Sequence, residues 1–295
     1  MIAPHRRSRA RIVPALIVAS CALLASACTI DGGSAASGGG AESEAAVASS
    51  SNRSAARPSP SDPGPAPSPA QDPKPNPDGA TLAGATIHLD PGHAAVMPAD
   101  NPQITDGRGG TKPCQVTGTA AADGWPEHTF NWLIAEAIRE RLEARGATVT
   151  MSRPDDSGTA DCIDERARKE NASAADLVVS LHADGAGEGN RGFHVIAIAD
   201  PLPANDAPGS LQLAEAIRDG FVAAGFAPSN YLGADGIDLR SDLTGLNLSE
   251  KPKALVEFGN MTDSADIAVL RSEDGRARMA DAVVAGIEAA LAARG

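Results

Sequence analysis

The sequence lacks three features, and each absence disfavours a class of protein or site. Basic residues are outnumbered, with 25 Lys and Arg against 38 Asp and Glu, and the formal net charge of −13 argues against nucleic acid as a partner. No CxxC spacing is present, which disfavours a metal site built from thiolates. After the first 27 residues there is no long apolar run, so we expect no membrane-spanning helix in the rest of the chain.

The N-terminal region, residues 1–27, has the composition of an export signal. Four arginines at positions 6–11 precede an apolar stretch, residues 12–24, that is too short to span a bilayer. Small residues at 25–27 then precede Cys28, and this arrangement resembles a bacterial lipobox, which implies cleavage before Cys28 and acylation of its sulfur. We therefore favour a lipid-anchored protein at the outer face of the cytoplasmic membrane, and ordinary signal cleavage with secretion is the alternative.

Residues 28–79 form a region rich in Gly, Ser, Ala and Pro, with few apolar residues and no aromatic. Such a segment cannot bury enough surface to offset its chain entropy. Nine prolines at positions 58–77 favour extended polyproline II, so we predict a disordered tether. The remaining residues, 80–295, have the size of one globular domain, and no repeat or second binding domain is evident.

The cysteines predict a disulfide within this domain. Of four cysteines, Cys21 leaves with the signal and Cys28 carries lipid in the favoured prediction. Cys114 and Cys162 are left as a pair in an oxidising compartment, where a disulfide is the natural expectation. Thiolate ligation of a metal is the alternative.

Strand-like and helix-like segments alternate through the domain. Apolar runs predict strands over 86–89, 147–151, 176–181, 192–199 and 254–258. Apolar or charged residues at helical spacing predict helices over 127–145, 164–172, 211–224 and 272–293. The Gly- and Pro-rich residues 94–126 predict a long loop. This alternation predicts the α/β class, a three-layer α/β/α domain with a mainly parallel mixed sheet.

Three predicted strands carry a chemically active side chain at or near the carboxyl end. His93 follows the first, His182 follows the strand 176–181, and Glu257 lies in the last. Ligands of open α/β sheets bind beyond the carboxyl ends of the strands, so parallel strands bring these residues together, and Glu127 can reach the same rim. Two imidazoles and a carboxylate make a catalytic zinc site, and a further carboxylate can act as general base. On pattern alone, structural histidines are the alternative.

The order and spacing of these segments resemble the type 3 family of zinc-dependent N-acetylmuramoyl-L-alanine amidases. The resemblance spans residues 85–293, and the matching segments are 87–93, 127–146, 165–182, 239–247 and 256–259. Two places depart from the family pattern. Asp184 stands where the family commonly has Asn, and residues 259–262 replace the usual Gly-Phe and Ser-Asn after the glutamate strand.

The resemblance implies one zinc ion per domain, with His93, Glu127 and His182 as ligands and Glu257 as the catalytic carboxylate. The implied reaction is hydrolysis of the amide bond between N-acetylmuramic acid and the L-alanine of the peptidoglycan stem peptide, by zinc-activated water. A zinc peptidase acting within the stem peptide and a non-catalytic wall-binding lipoprotein are the alternatives. We expect a monomer.

Further residues are given roles by the resemblance or by their position in the predicted elements. Arg240 and Asn247, in the late matching segment, are predicted to contact substrate. His88 and His194 lie within strands and are predicted to be hydrogen-bonded structural histidines. His128 is the alternative to Glu127 as a ligand.

Overall fold

The computed structural model describes residues 82–294. The predicted signal, the acylation site Cys28 and the predicted linker lie outside the described residues. Among residues 82–294, no helix combines the length and the hydrophobicity that a membrane crossing requires.

Six of the eight strands found in residues 82–294 form one mixed sheet at the centre of the domain. In chain order the strands are β1 (Thr86–Pro91), β2 (Gln103–Thr105), β3 (Thr111–Pro113), β4 (Thr148–Met151), β5 (Leu177–Asp184), β6 (His194–Ile198), β7 (Ile237–Arg240) and β8 (Lys253–Asn260). The sheet order is β4-β1-β5-β8-β6-β7, and β6 is antiparallel to β8 while the other pairs are parallel. The predicted mainly parallel mixed sheet is confirmed.

Helices cover the two faces of this sheet unequally. They are α1 (Glu127–Ala144), α2 (Ile163–Ala172), α3 (Ala207–Ala223), α4 (Thr244–Asn247), α5 (Ser264–Arg271) and α6 (Glu273–Ala292). Helices α1, α3 and α6 pack on the main apolar core with alternate strand residues such as Leu89, Leu181 and Val256. The opposite face has a small apolar cluster beneath α4 and also buries polar side chains, among them Asp90, Ser180 and Lys253. The fold is therefore the predicted three-layer arrangement, and its polar face is where a site can form.

The structure adds elements that apolar periodicity does not predict. The predicted loop 94–126 contains the antiparallel hairpin β2–β3, whose strands have only three residues each. Strand β7 lies at a sheet edge without a fully buried residue, and α5 buries Leu270 alone. These segments present too few buried apolar positions to show a period in the sequence.

The predicted disulfide is confirmed. Cys114 and Cys162 are bonded, with their Cα atoms 4.5 Å apart. The bond joins the residue after β3 to the residue that precedes α2. It therefore fixes the hairpin segment to the polar face of the sheet.

Replacing both cysteines by Ser is expected to lower the free energy of unfolding by about 4 kcal/mol, because the unfolded chain regains the entropy of a long open loop. Guanidinium denaturation of the mature chain measures this. Wild-type protein under reducing conditions is the control and should unfold at the same lowered midpoint as the double variant. An unchanged midpoint in both samples would show that the bond does not stabilise the fold.

Candidate active site

Three side chains meet at the carboxyl ends of β1 and β5. His93 Nε2 lies 3.1 Å from Glu127 Oε2, and His182 Nδ1 lies 3.0 Å from Glu127 Oε1. The two imidazole rings are edge to face, with centroids 4.9 Å apart. Each residue offers one ligand atom, and these atoms lie within 4.8 Å of one another, which is close enough to hold one metal ion. Two imidazoles and one carboxylate are a donor set that zinc takes in catalytic sites, so the residues present fit this metal.

Glu127 is held by donors on three sides. It begins α1 directly after Pro126, and its carboxylate accepts hydrogen bonds from Thr119 N at 2.9 Å, Ala183 N at 3.2 Å and Asn131 Nδ2 at 3.2 Å. Burial opposes ionisation, but hydrogen bonds from the two histidines outweigh it and hold the pKa of the carboxyl below its usual range. The group is therefore an ionised carboxylate in a fixed orientation, as a metal ligand must be.

The two histidines differ in their electrostatic surroundings. Burial lowers the pKa of His182 against the opposing effect of Glu127, which favours the neutral imidazole that a metal requires. For His93 the balance goes the other way. Burial also lowers the pKa of His93, but the hydrogen bond and the charge of Glu127 outweigh burial, and the pKa is raised overall.

His93 adopts a backbone conformation that few residues other than glycine take, with φ of 62°. Its ring Nδ1 donates to the carbonyl oxygen of Val116 at 2.8 Å, so Nδ1 keeps its proton and Nε2, which faces Glu127, is the ring atom that would bind a metal. Arg166 donates to the carbonyl oxygens of His93 at 2.8 Å and of Pro91 at 3.1 Å. These contacts at the ring and the backbone fix the direction of the ligand.

The disulfide lies close to both partners of His93. Val116 follows Cys114 by two residues, and Arg166 N donates to the carbonyl oxygen of Cys162 at 2.9 Å. The bond therefore links the two segments that orient this ligand. Arg166 lies in the segment 165–182 that matches the family, and its contacts assign it a role in orienting His93.

Replacing Arg166 by Met is expected to weaken zinc binding about 10- to 100-fold, because groups that orient a metal ligand typically contribute that much to affinity. Titration of zinc against a chelating indicator measures this. Arg168→Met is the matched control, since Arg168 lies on the same helix and pairs with Glu165 at the surface. A folded Arg166→Met protein with wild-type zinc affinity would contradict the assignment.

Glycines allow the ligands to pack closely. A Cβ atom on Gly92 would lie 2.1 Å from His182 Cε1, and one on Gly118 would lie 2.5 Å from Glu127 Oε2. Gly118 also has φ of +75°, which disfavours a side chain. Any larger residue at either position displaces a ligand.

Glu257 lies beside this cluster. It is the register partner of His182 across β5 and β8, and its Oε2 is buried with no hydrogen-bond partner among residues 82–294. Burial raises the pKa of Glu257 well above its usual range, and the charges of Glu127 and Asp184 raise it further. A carboxyl group with a raised pKa can both accept and deliver a proton near neutral pH.

A cavity of about 250 Å³ opens next to these side chains, between the sheet and α4. Polar and apolar residues line it, including Glu257, His182, Arg240, Thr244, Leu246 and Leu255. The volume is below that of pockets that enclose a whole drug-sized ligand. The cavity can therefore hold one portion of a larger substrate whose remainder lies outside.

The two predicted substrate contacts have different positions. Arg240 lines the cavity, where its guanidinium makes a bidentate pair with Asp242 at 2.9 and 2.7 Å. Asn247 is buried, accepts from Arg108 Nε at 2.9 Å and donates to the carbonyl oxygen of Asp106 at 2.9 Å. The Asn247 amide thus holds the segment of the β2–β3 hairpin, and its contact with substrate stays a prediction.

The other three histidines within residues 82–294 have different surroundings. His88 Nδ1 lies 2.8 Å from Thr150 Oγ1, as expected of a structural histidine. His128 Nδ1 lies 2.7 Å from Asp156 Oδ1, while its neighbour Glu127 joins the ligand cluster. For His194 the prediction is wrong, because within the described part of the chain neither ring nitrogen has a hydrogen-bond partner.

The two departures from the family pattern have structural explanations. Asp184 accepts a hydrogen bond from the Tyr231 hydroxyl at 2.9 Å. Asn260 is fully buried and binds the loop after β5, accepting from Ala186 N at 3.0 Å and donating to the carbonyl oxygen of Asn190 at 2.6 Å. Both side chains fix the segment that follows His182.

Comparison with known proteins adds independent evidence. The family model described as N-acetylmuramoyl-L-alanine amidase matches residues 87–289. An N-acetylmuramoyl-L-alanine amidase of Mycobacterium tuberculosis is 45% identical over 217 residues, which are 73% of this chain and 90% of that protein.

Solved structures of two N-acetylmuramyl-L-alanine amidases are also similar. The one from Mycobacterium smegmatis has a TM-score of 0.70 and 43% identity, covering 72% of this chain and 99% of that chain. The apo form of the one from Mycobacterium abscessus has a TM-score of 0.69 and 46% identity, covering 71% of this chain and 100% of that chain.

Proposed function

Since the chain belongs to the family of N-acetylmuramoyl-L-alanine amidases, we propose that it is a peptidoglycan hydrolase that cleaves the amide bond between N-acetylmuramic acid and the L-alanine of the stem peptide. One observation carries the proposal. His93, Glu127 and His182 converge within reach of a single ion, and the carboxyl of Glu257 lies in register beside them.

The chain's own residues supply the binding and proton transfer that this hydrolysis needs. A zinc ion held by His93, Glu127 and His182 would lower the pKa of a bound water toward about 7 and polarise the scissile carbonyl. Glu257 takes the proton of the attacking water as general base, and then delivers it to the amine nitrogen that leaves with L-alanine. The products are a glycan with a free lactyl carboxylate and a stem peptide with a free amine.

Digestion of purified peptidoglycan tests this proposal. The mature chain supplied with zinc should release intact stem peptides that begin with a free L-alanine amine, which mass spectrometry identifies. The wild-type chain with a chelator is the control and should release none. Stem fragments, with L-alanine still attached to the lactyl group, would identify a peptidase instead, and binding without any release would identify a wall-binding protein.

We also propose that the enzyme acts in the cell envelope as a monomer anchored through a lipid on Cys28. The sequence pattern at residues 1–28 supports this, and an anchored amidase needs a tether such as residues 28–79 to reach its substrate. Cys28→Ala should move the protein from the membrane fraction to the soluble fraction, as immunoblotting of fractionated cells would show. Equal membrane association of both proteins would contradict lipid anchoring.

A further inference from the structure

His194 is a buried polar residue whose hydrogen bonds are not accounted for by the fold. The residue is 1% exposed, and both ring nitrogens lack a hydrogen-bond partner among the described residues, 82–294. Buried polar side chains nearly always have a partner, so such a group calls for an explanation. An unpaired buried imidazole also lowers the stability of the fold.

The position of His194 relates it to Glu257. The antiparallel register of β6 and β8 pairs the two residues directly, so their side chains lie on the same face of the sheet. Directly opposed residues of such a pair have Cβ atoms about 4.5–5.5 Å apart. Glu257 Oε2 is itself buried without a partner in the described region. Two unsatisfied polar side chains are therefore neighbours.

His194, Glu257 and His182 form a row across three neighbouring strands of the sheet. Strand β8 lies between β5 and β6, and its Glu257 is in register with His182 on one side and with His194 on the other. Glu257, the proposed general base, thus stands between His182 and an imidazole that has no hydrogen-bond partner among residues 82–294.

Resting on the proposed function, we propose that His194 is a positioning residue for Glu257, and that its imidazole is the hydrogen-bond partner of the Glu257 carboxyl during turnover. During the reaction Glu257 alternates between a carboxylate, which accepts hydrogen bonds, and a carboxylic acid, which donates one. A neutral imidazole has one N–H donor and one acceptor nitrogen, so it can serve both forms.

The surroundings of His194 support this role. Burial lowers the pKa of His194, which keeps the ring neutral, and the charges that act on it are Asp184, Asp238 and Arg240. Tyr231 covers the ring edge to face at 6.1 Å and directs its hydroxyl to Asp184 instead. The neighbouring groups therefore shield the imidazole without occupying its nitrogens.

The test combines kinetics with stability in the zinc-loaded enzyme. His194→Leu is expected to raise the unfolding temperature, since an apolar side chain replaces an unpaired buried polar one. The same change should lower kcat about 10- to 100-fold with little change in KM, because the general base loses its orientation. The acidic limb of the pH–rate profile should also shift, while zinc affinity stays at the wild-type value.

Two further variants separate positioning from packing. His194→Gln retains a donor and an acceptor and should recover much of the lost kcat. Ile196→Leu changes an apolar residue on the same strand and the same face, and should behave as the wild type.

Contrary results are equally specific. If the wild type is active and the His194→Leu variant has the same kcat and the same pH–rate profile, the role of His194 is refuted while the proposed function stands. Loss of zinc affinity in that variant, or no recovery in His194→Gln, would make His194 a packing residue and overturn it too. A wild-type enzyme that releases no stem peptide would instead refute the proposed function and, with it, this inference.

Discussion

Glu257→Gln enzyme should lose about two to four orders of magnitude in kcat while it keeps its fold and its metal. The amide has the shape of the carboxyl group but cannot take the proton of the attacking water. Little stability should be lost, because the Oε2 atom of Glu257 makes no hydrogen bond within residues 82–294. Turnover of a soluble muropeptide at saturating zinc measures the effect, and zinc titration shows that the site is intact.

Two comparisons sharpen this experiment. Glu250→Gln makes the same chemical change at an exposed position and should leave kcat at the wild-type value. In the wild type, activity should fall as the pH drops through the raised pKa of Glu257, because a general base must be ionised. Substantial turnover by Glu257→Gln would remove this residue from the mechanism.

The convergence of the site could be predicted because it depends on the sheet more than on side-chain detail. His93 follows β1 and His182 lies near the carboxyl end of β5, and both strands have strong apolar runs. Parallel strands place their carboxyl ends at one edge of the sheet. Glu127 begins a helix whose buried residues recur regularly, so its position could also be predicted from the sequence. The assignment of Glu257 required the family resemblance, since strand pattern alone does not rank carboxylates.

The role of Asn247 and the attachment of the β2–β3 hairpin could not be predicted from the sequence, because both depend on polar contacts between segments that are distant in the chain. Asn247 lies in a family segment, but Arg108 of the hairpin loop, remote in the chain, binds its amide. The hairpin itself has too few apolar residues to show a period, and its attachment depends on the disulfide and on charged side chains such as Lys112. Such pairings carry no local signal.

His194 shows a different limit of sequence reasoning. The rule that a buried histidine is hydrogen-bonded correctly described His88 but not His194. Local rules of this kind are most often broken at functional sites, where a fold accepts a loss of stability. His194 is the exception, and it lies opposite Glu257, where a loss of stability can serve the proposed reaction.

Loss of the metal, by chelation or by His182→Ala, is expected to abolish measurable turnover. Chelation removes the group that activates water, and zinc added back should restore the wild type fully. His182→Ala leaves two of three ligands and should not recover with zinc. His128→Ala is the matched control, because His128 adjoins Glu127 on α1 but pairs with Asp156, and it should recover as the wild type does. Zinc loss in His128→Ala would instead make that residue the ligand.

Thermal unfolding gives a second readout of the same site that requires no substrate. A ligand that binds the folded chain and not the unfolded one stabilises it by about 2.7 kcal/mol at a concentration 100 times its Kd. Zinc should therefore raise the unfolding temperature of the wild type and of His128→Ala, and leave that of His182→Ala unchanged. The effect should weaken in acid, since protons compete with the metal for both imidazoles. If zinc left the wild type unmoved at neutral pH, the three side chains would be joined by hydrogen bonds alone.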